Sequence, residues 1–232
     1  IHVNVDAGIE TPMDLVGKRI AVSGFQVTLT VLAKGDLKRD HGVPWEDITW
    51  ITALHEEIPF TPKPGVALEK LAPGQDAGEM LMAGEIDAMI TPQQPKSLLG
   101  GSDRIKPLYA DGKAEIMRHY KMVGYYPIMH LVAIRCELVA REPWLPRAIY
   151  DMFEDAKARA YDFYGDPNYS LMAWGRETLE EQRKLLGADP WPSGIAANRA
   201  NIEEFTGYLL DQGLIDAPLA VDDMFVEQLL DT

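Results

Sequence analysis

Between residues 18 and 53 the chain runs strand, turn, helix, strand, and that order constrains the fold more than any other stretch. Lys18-Arg19-Ile20-Ala21-Val22 reads as a strand, Ser23-Gly24-Phe25-Gln26 as a turn, residues 27–40 as a helix and residues 48–53 as a second strand. Two strands joined by a crossover helix lie parallel in one sheet, and a parallel sheet needs helical cover on its faces. An α/β architecture is therefore expected. His41-Gly42-Val43-Pro44 stops the helix. Residues 54–75 hold Pro59, Pro62, Pro64 and Pro73 and read as a long irregular excursion, the kind of loop that is usually functional or mobile. Residues 76–83 then fit a short helix closed by Gly84, residues 86–91 a buried strand, residues 105–109 another strand and residues 113–122 a helix.

From residue 128 the pattern changes. Residues 128–135 read as an apolar strand after Pro127. Beyond it, Leu145, Ala148, Ile149, Met152, Phe153, Ala156 and Ala160 recur at three-to-four spacing, which predicts an amphipathic helix over 143–164. Further helices are expected at 169–186, 199–212 and 221–230. This last third has no strand of its own to pack on, so it is expected to cover a sheet supplied elsewhere. At the front, Ile1-His2-Val3-Asn4-Val5 reads as a strand and Asp6-Ala7-Gly8 as a turn, so the chain is expected to start inside a domain.

Charge and composition exclude several classes of function. With 22 Lys and Arg against 36 Asp and Glu, the net charge of −14 repels phosphate backbones and anionic lipid, so no nucleic-acid partner is expected. No apolar run approaches the roughly 18 residues that span a bilayer, so no membrane partner is expected either. A single cysteine, Cys136, forbids an intrachain disulfide and a Cys-rich zinc site.

Few residues carry recognisable chemistry. The turn Ser23-Gly24-Phe25-Gln26 opens a helix, where free N–H groups and the helix dipole favour an anion, and Gln26, Thr28 and Thr30 add donors. The same stretch also reads as a capped helix with solvated hydroxyls; it is neither a P-loop nor a dinucleotide fingerprint. His55-Glu56-Glu57 is a weak metal signal in what reads as a solvated loop. His130 differs, because it falls in the apolar run Ile128-Met129-His130-Leu131-Val132, as either a satisfied core histidine or a catalytic one. Its serines lie in no nucleophile-elbow context. Asp189-Pro190-Trp191-Pro192-Ser193-Gly194 is a rigid turn that presents an aromatic wall before Arg199, or simply a helix–helix connection with a surface arginine.

Two stretches, Asp14-Leu15-Val16-Gly17-Lys18-Arg19-Ile20 and Ala83-Gly84-Glu85-Ile86-Asp87-Ala88-Met89-Ile90, resemble the type 2 periplasmic-binding-protein fold. Phe25-Gln26-Val27-Thr28, Pro64-Gly65-Val66, Tyr126-Pro127-Ile128-Met129-His130, Pro143-Trp144 and Asp189-Pro190-Trp191-Pro192 with Asn198-Arg199 are more specific. In that order they resemble the 4,5-dihydroxyphthalate decarboxylase family over nearly the whole chain. Two positions depart from the family pattern: relatives tend to place an arginine where Thr91-Pro92-Gln93-Gln94 stands, and an aromatic where Ser193 stands.

The resemblance implies a two-lobed α/β protein with mixed sheets, flanking helices and a helical C-terminal segment. Residues 1–6 would be a hinge strand and part of lobe 1, whose remainder would lie upstream. Residues 7–127 would form lobe 2, and residues 128–232 a return hinge strand and the helices that complete lobe 1. The implied activity is loss of CO2 from a hydroxylated aromatic dicarboxylic acid in the cleft between lobes. His130 would be the acid/base, and Gln26, Thr28, Thr91, Gln93, Trp191 and Arg199 would contact a small anionic aromatic substrate. No organic cofactor is required by that chemistry, no metal site is assigned, and a homo-oligomer is compatible with it. A cytoplasmic location is expected; an upstream export signal would make it periplasmic and would favour the rival function, a non-catalytic binding protein for a small carboxylate or aromatic ligand.

Overall fold

A computed structural model describes residues 1–92, 100–169 and 171–232. They divide into two compact units: residues 1–123 with 205–218, and residues 124–204 with 219–232.

The first unit is built on one sheet of β1 (His2–Asn4), β2 (Arg19–Val22), β3 (Thr49–Thr52), β4 (Leu68–Lys70), β5 (Ala88–Ile90) and β6 (Ile105–Pro107), in the order β4-β3-β2-β5-β1-β6. Strands β2 to β5 run parallel, and β1 runs antiparallel to both β5 and β6. Helix α1 (Thr28–His41) makes the crossover from β2 to β3, as the strand–helix–strand order requires. Strands β3 and β4 are parallel neighbours too, so the chain must travel back along the sheet between them. That return is why residues 53–67 form a long connection. Strand β4 was not legible in the sequence, because it is three residues long and mostly exposed. Helices α2 (Ala77–Ala83) and α3 (Gly112–Val123) complete this part. Asp76 caps α2 by accepting from the Glu79 amide at 3.0 Å, and Gly84 ends it in the left-handed conformation at φ 78°. Strand β1 lies inside this sheet, so the division expected after residue 6 is not a boundary between compact units.

Phe25, Trp45 and Trp50 centre the core, each essentially without exposed surface. Phe25 meets both indoles edge-on and stacks on Phe60, with centroids 5.2 Å apart. The Trp50 indole donates to the Trp45 carbonyl, and the Trp45 indole to Asp211, both at 2.9 Å, so neither buried N–H is orphaned. Residues 205–218 close over α1: Gln212 donates to the Val31 carbonyl at 2.8 Å and Tyr208 to Asp36 at 3.0 Å. A Cβ at Gly35 would lie 2.2–2.4 Å from the Tyr208 ring, so only glycine allows this approach. Between α1 and α3, the Asp40 side chain accepts from Arg39, Arg118 and His119 at 2.6, 2.7 and 2.9 Å. Burial opposes its ionisation, but these partners outweigh it and hold the carboxyl at about 2.

The second unit holds α4 (Cys136–Arg141), α5 (Leu145–Gly165), α6 (Gly175–Leu186), the first part of α7 (Ile195–Asp211) and α8 (Val221–Met224). The helix expected over 143–164 is present. The apolar stripe of α5 is only partly covered by the described residues: Met152 and Phe153 are more than half exposed. Helix α6 starts later than residue 169, because the Asp166 side chain accepts from the Asn168 amide at 2.8 Å and holds that stretch in a turn.

The return hinge strand expected over 128–135 is not formed. A strand needs another backbone alongside to take its N–H and C=O groups, and none of the described residues pairs with this segment. Its apolar side chains are accordingly open, Leu131 at 56% and Val132 at 61% exposed.

Gly35→Ala should destabilise the first unit by about 1–3 kcal/mol through overpacking against Tyr208, although alanine is the better helix former. Urea unfolding checks this; a variant as stable as the parent would contradict the close packing.

Candidate functional site

Strands β2 and β5 are parallel neighbours, yet the chain leaves β2 toward β3 on the opposite side. A sheet whose connections diverge in this way leaves a crevice at the carboxyl ends of the two strands. The turn at residues 23–27 follows β2 there, and Thr91, half-buried, follows β5. The connection after β3 is bound to the first of these: the Ala53 amide donates to the Val22 carbonyl at 3.0 Å and the Leu54 amide to that of Ser23 at 2.7 Å.

The turn is fixed from both sides. Phe25 is sunk in the aromatic core, which pins its backbone. Against the exposed side lies a carboxylate, that of Glu56. It accepts from the Phe25 amide at 2.5 Å, the Gln26 amide at 3.3 Å and the Gln26 side-chain amide at 3.2 Å. The Gln26 side chain also donates to the Ile58 carbonyl at 2.6 Å. A Cβ at Gly24 would stand 3.2 Å from the Glu56 oxygen, so the absent side chain makes room for the carboxylate. Val27, the residue at the helix cap, has no side-chain oxygen to offer the first turn of α1. Thr28 is the first residue of that turn, and the buried Thr30 hydroxyl has no hydrogen-bond partner among the described residues. Beneath the turn, the buried Lys34 amine donates to the Phe25 carbonyl at 3.0 Å. Gln93 lies outside the described residues.

In the second unit a cavity of about 280 Å³ is lined by Tyr126, Ile128, His130, Pro190, Trp191 and Asn198, among others. The Trp191 ring stacks on Tyr126 with centroids 4.7 Å apart. Two asparagines one helical turn apart on α7 hold the walls. Asn198 donates to the carbonyls of Pro192 and Gly194 at 2.7 and 2.9 Å, while Asn201 donates to that of Tyr126 at 2.7 Å and accepts from the Ile128 amide at 3.4 Å. His130 is exposed at this cavity and not packed in a core. Arg199 follows Asn198, but its guanidinium donates to Asp222 at 2.6 Å.

The structure thus brings His130 and Trp191 together in the second unit, and sets Gln26, Thr28 and Thr91 at one end of the sheet in the first. Glu56, Asn198 and Asn201 were not singled out as site residues. Glu56 carried a signal only as part of the weak metal motif His55-Glu56-Glu57, Asn198 only as part of the family-like pair Asn198-Arg199, and Asn201 none. Among the described residues, Asp40, His41 and Glu115 place ligand-type atoms within 4.8 Å of one another. Arg118 already bridges both carboxylates at 2.7 Å, so this cluster is an ion-pair network with a cation in place.

No family model matches the chain. Among solved structures it is similar to the periplasmic aliphatic sulphonate binding protein SsuA from Escherichia coli, with a TM-score of 0.50 and 13% identity, over all of this chain and 69% of that one. The fold is therefore of the type 2 periplasmic-binding-protein class. Two curated relatives carry the name 4,5-dihydroxyphthalate decarboxylase. One, from Comamonas testosteroni, is 30% identical over 97% of this chain and 71% of its own length. The other, from Pseudomonas putida, is 32% identical over 54% of this chain and 51% of its own length. The chain belongs to the 4,5-dihydroxyphthalate decarboxylase family.

Charge-assisted bonds of the Glu56 type contribute roughly 1.5–3 kcal/mol each. Glu56→Ala should therefore speed hydrogen exchange at the Phe25 and Gln26 amides by about tenfold or more. Exchange at the parent's rate would show that the carboxylate does not hold the turn.

Proposed function

We propose that the protein is a decarboxylase of a hydroxylated aromatic dicarboxylic acid of the 4,5-dihydroxyphthalate type. Membership of the family supports the reaction class. The observation that carries the site is the Glu56 carboxylate on the Phe25 and Gln26 amides, because it displays the geometry in which this turn accepts a carboxylate. In the reaction, a substrate carboxylate takes these amides and the Gln26 side chain, with Thr28 opening the helix behind them.

The substrate's own electronics set what the protein must supply. Each carboxylate of 4,5-dihydroxyphthalate is para to a phenol. Removing that phenol's proton pushes electron density to the ring carbon bearing the carboxylate, and a proton delivered there gives a dienone-like intermediate. The carbon–carboxylate bond then breaks, its electron pair restores the aromatic ring, and CO2 departs. His130 exchanges the proton with the ring, Trp191 offers an aromatic face, and Thr91 contributes a polar contact. Arg199 serves as a second carboxylate clamp only by leaving Asp222, which makes it the less direct of the two anchors.

Incubation with 4,5-dihydroxyphthalate should release CO2 and 3,4-dihydroxybenzoate in equal amounts, followed by absorbance and gas evolution. His130→Ala should lower the rate roughly a hundredfold or more, the usual scale of a lost acid/base, while leaving the cavity walls in place. Saturable binding with no CO2 from any hydroxyphthalate would overturn the reading in favour of a binding protein. Unchanged turnover in folded His130→Ala would remove that residue's role.

A further inference from the structure

Lys34 has no exposed surface, and the reaction described above does not use it. Its side-chain nitrogen lies 3.1 Å from the centroid of the Phe25 ring, with the Trp45 and Trp50 rings at 5.4 and 5.9 Å, an aromatic box on three sides. Such rings stabilise a cation but replace little of its lost water. The nitrogen's hydrogen bond goes to the Phe25 carbonyl at 3.0 Å.

That carbonyl belongs to the same peptide unit as the Gln26 N–H, which donates to the Glu56 carboxylate at 3.3 Å. The Phe25–Gln26 peptide therefore stands between an amine and an anion, with each end of its dipole engaged. A donor on the carbonyl oxygen polarises the amide and strengthens its N–H toward an acceptor, because hydrogen bonds in series reinforce one another. A full positive charge at that oxygen does so more than a neutral amine.

We propose that Lys34 is a positioning residue for this turn: bound to the Phe25 carbonyl, it orients and polarises the Phe25–Gln26 peptide, and its protonation strengthens the turn's hold on a carboxylate. The proposal rests on the reading that a substrate carboxylate binds these amides. The charged groups around Lys34 fit a group that titrates in a useful range. Glu56, from the connection after β3, faces it across the turn. One helical turn further on α1, Lys38 is held by Glu46 and Asp211 at 2.8 and 2.9 Å, so its charge is matched outside the box. Burial pushes Lys34 down to about 6, against a smaller pull upward from Glu56. The amine is thus mostly neutral at pH 8 and largely protonated below pH 6, so carboxylate affinity rises as the pH falls through this interval.

The test compares the parent with Lys34→Met, which fills the same space without the amine. Fluorescence-monitored unfolding establishes that the variant is folded. The probe is phthalate, which has the carboxylates but no phenol and so cannot react by the route above. In the parent, the Phe25 and Gln26 amide resonances should titrate with a midpoint near 6, and phthalate should bind roughly fivefold tighter at pH 6 than at pH 8. Phthalate gains more from the added charge than the Glu56 carboxylate it displaces, because it carries two negative charges against one, and fivefold is about 1 kcal/mol. In Lys34→Met the amide titration and the pH dependence of binding should both disappear. Amide shifts or affinity ratios that persist unchanged in Lys34→Met would overturn the proposal. Amides that follow Lys34 with no phthalate binding at either pH would overturn the carboxylate reading and leave Lys34's control of the turn standing.

Discussion

A single peptide, Phe25–Gln26, is held between a buried amine and a carboxylate, and much of the first unit is arranged to keep it there. Phe25 can anchor it only because Trp45 and Trp50 form a rigid aromatic floor, and those indoles are in turn satisfied by a backbone carbonyl and by Asp211. Glu56 reaches the turn because β3 and β4 are parallel, which forces a long connection over the carboxyl ends of the strands. Sheet topology thus decides where the carboxylate goes, and the turn's amides decide what it does there.

The global charge gives this arrangement its significance. At a net charge of −14 the protein's field opposes an anionic substrate. A carboxylate must be held by short-range donors. Backbone amides suit this purpose, since they cost no conformational entropy beyond that already spent in fixing the turn. Glu56 shows that the donors accept such a group, and it also means that an incoming carboxylate has to displace one already bound. On the proposed reading, the strength of the turn is set by a competition in which the ligand, Glu56 and Lys34 all take part.

Much of the first unit was legible in the sequence. The strand–turn–helix–strand order at residues 18–53 dictated parallel pairing, and Gly84 marked the end of α2. These are local signals, and local physics decided them. What the sequence did not disclose depended on distant partners. Residues 128–135 have the apolar content of a strand but no pairing backbone among the described residues, and Leu131 and Val132 stay open. Glu56 read as part of a weak metal signal in a solvated loop, because nothing near it in sequence says that the chain returns to residue 25. Nothing in the sequence marks Lys34 as buried; its burial follows from three aromatic residues that lie 9 to 16 positions away. Gln26 was recognisable as a donor at a helix start, but which group it would meet was not.

The most direct measurement is a crystal structure with 4,5-dihydroxyphthalate, or with phthalate as the unreactive analogue, bound to the protein. One ligand carboxylate should lie within hydrogen-bond distance of the Phe25 and Gln26 amides, with Glu56 moved off them. A structure in which Glu56 keeps those amides while the ligand's carboxylates are held elsewhere would contradict the assignment of this turn as the carboxylate site.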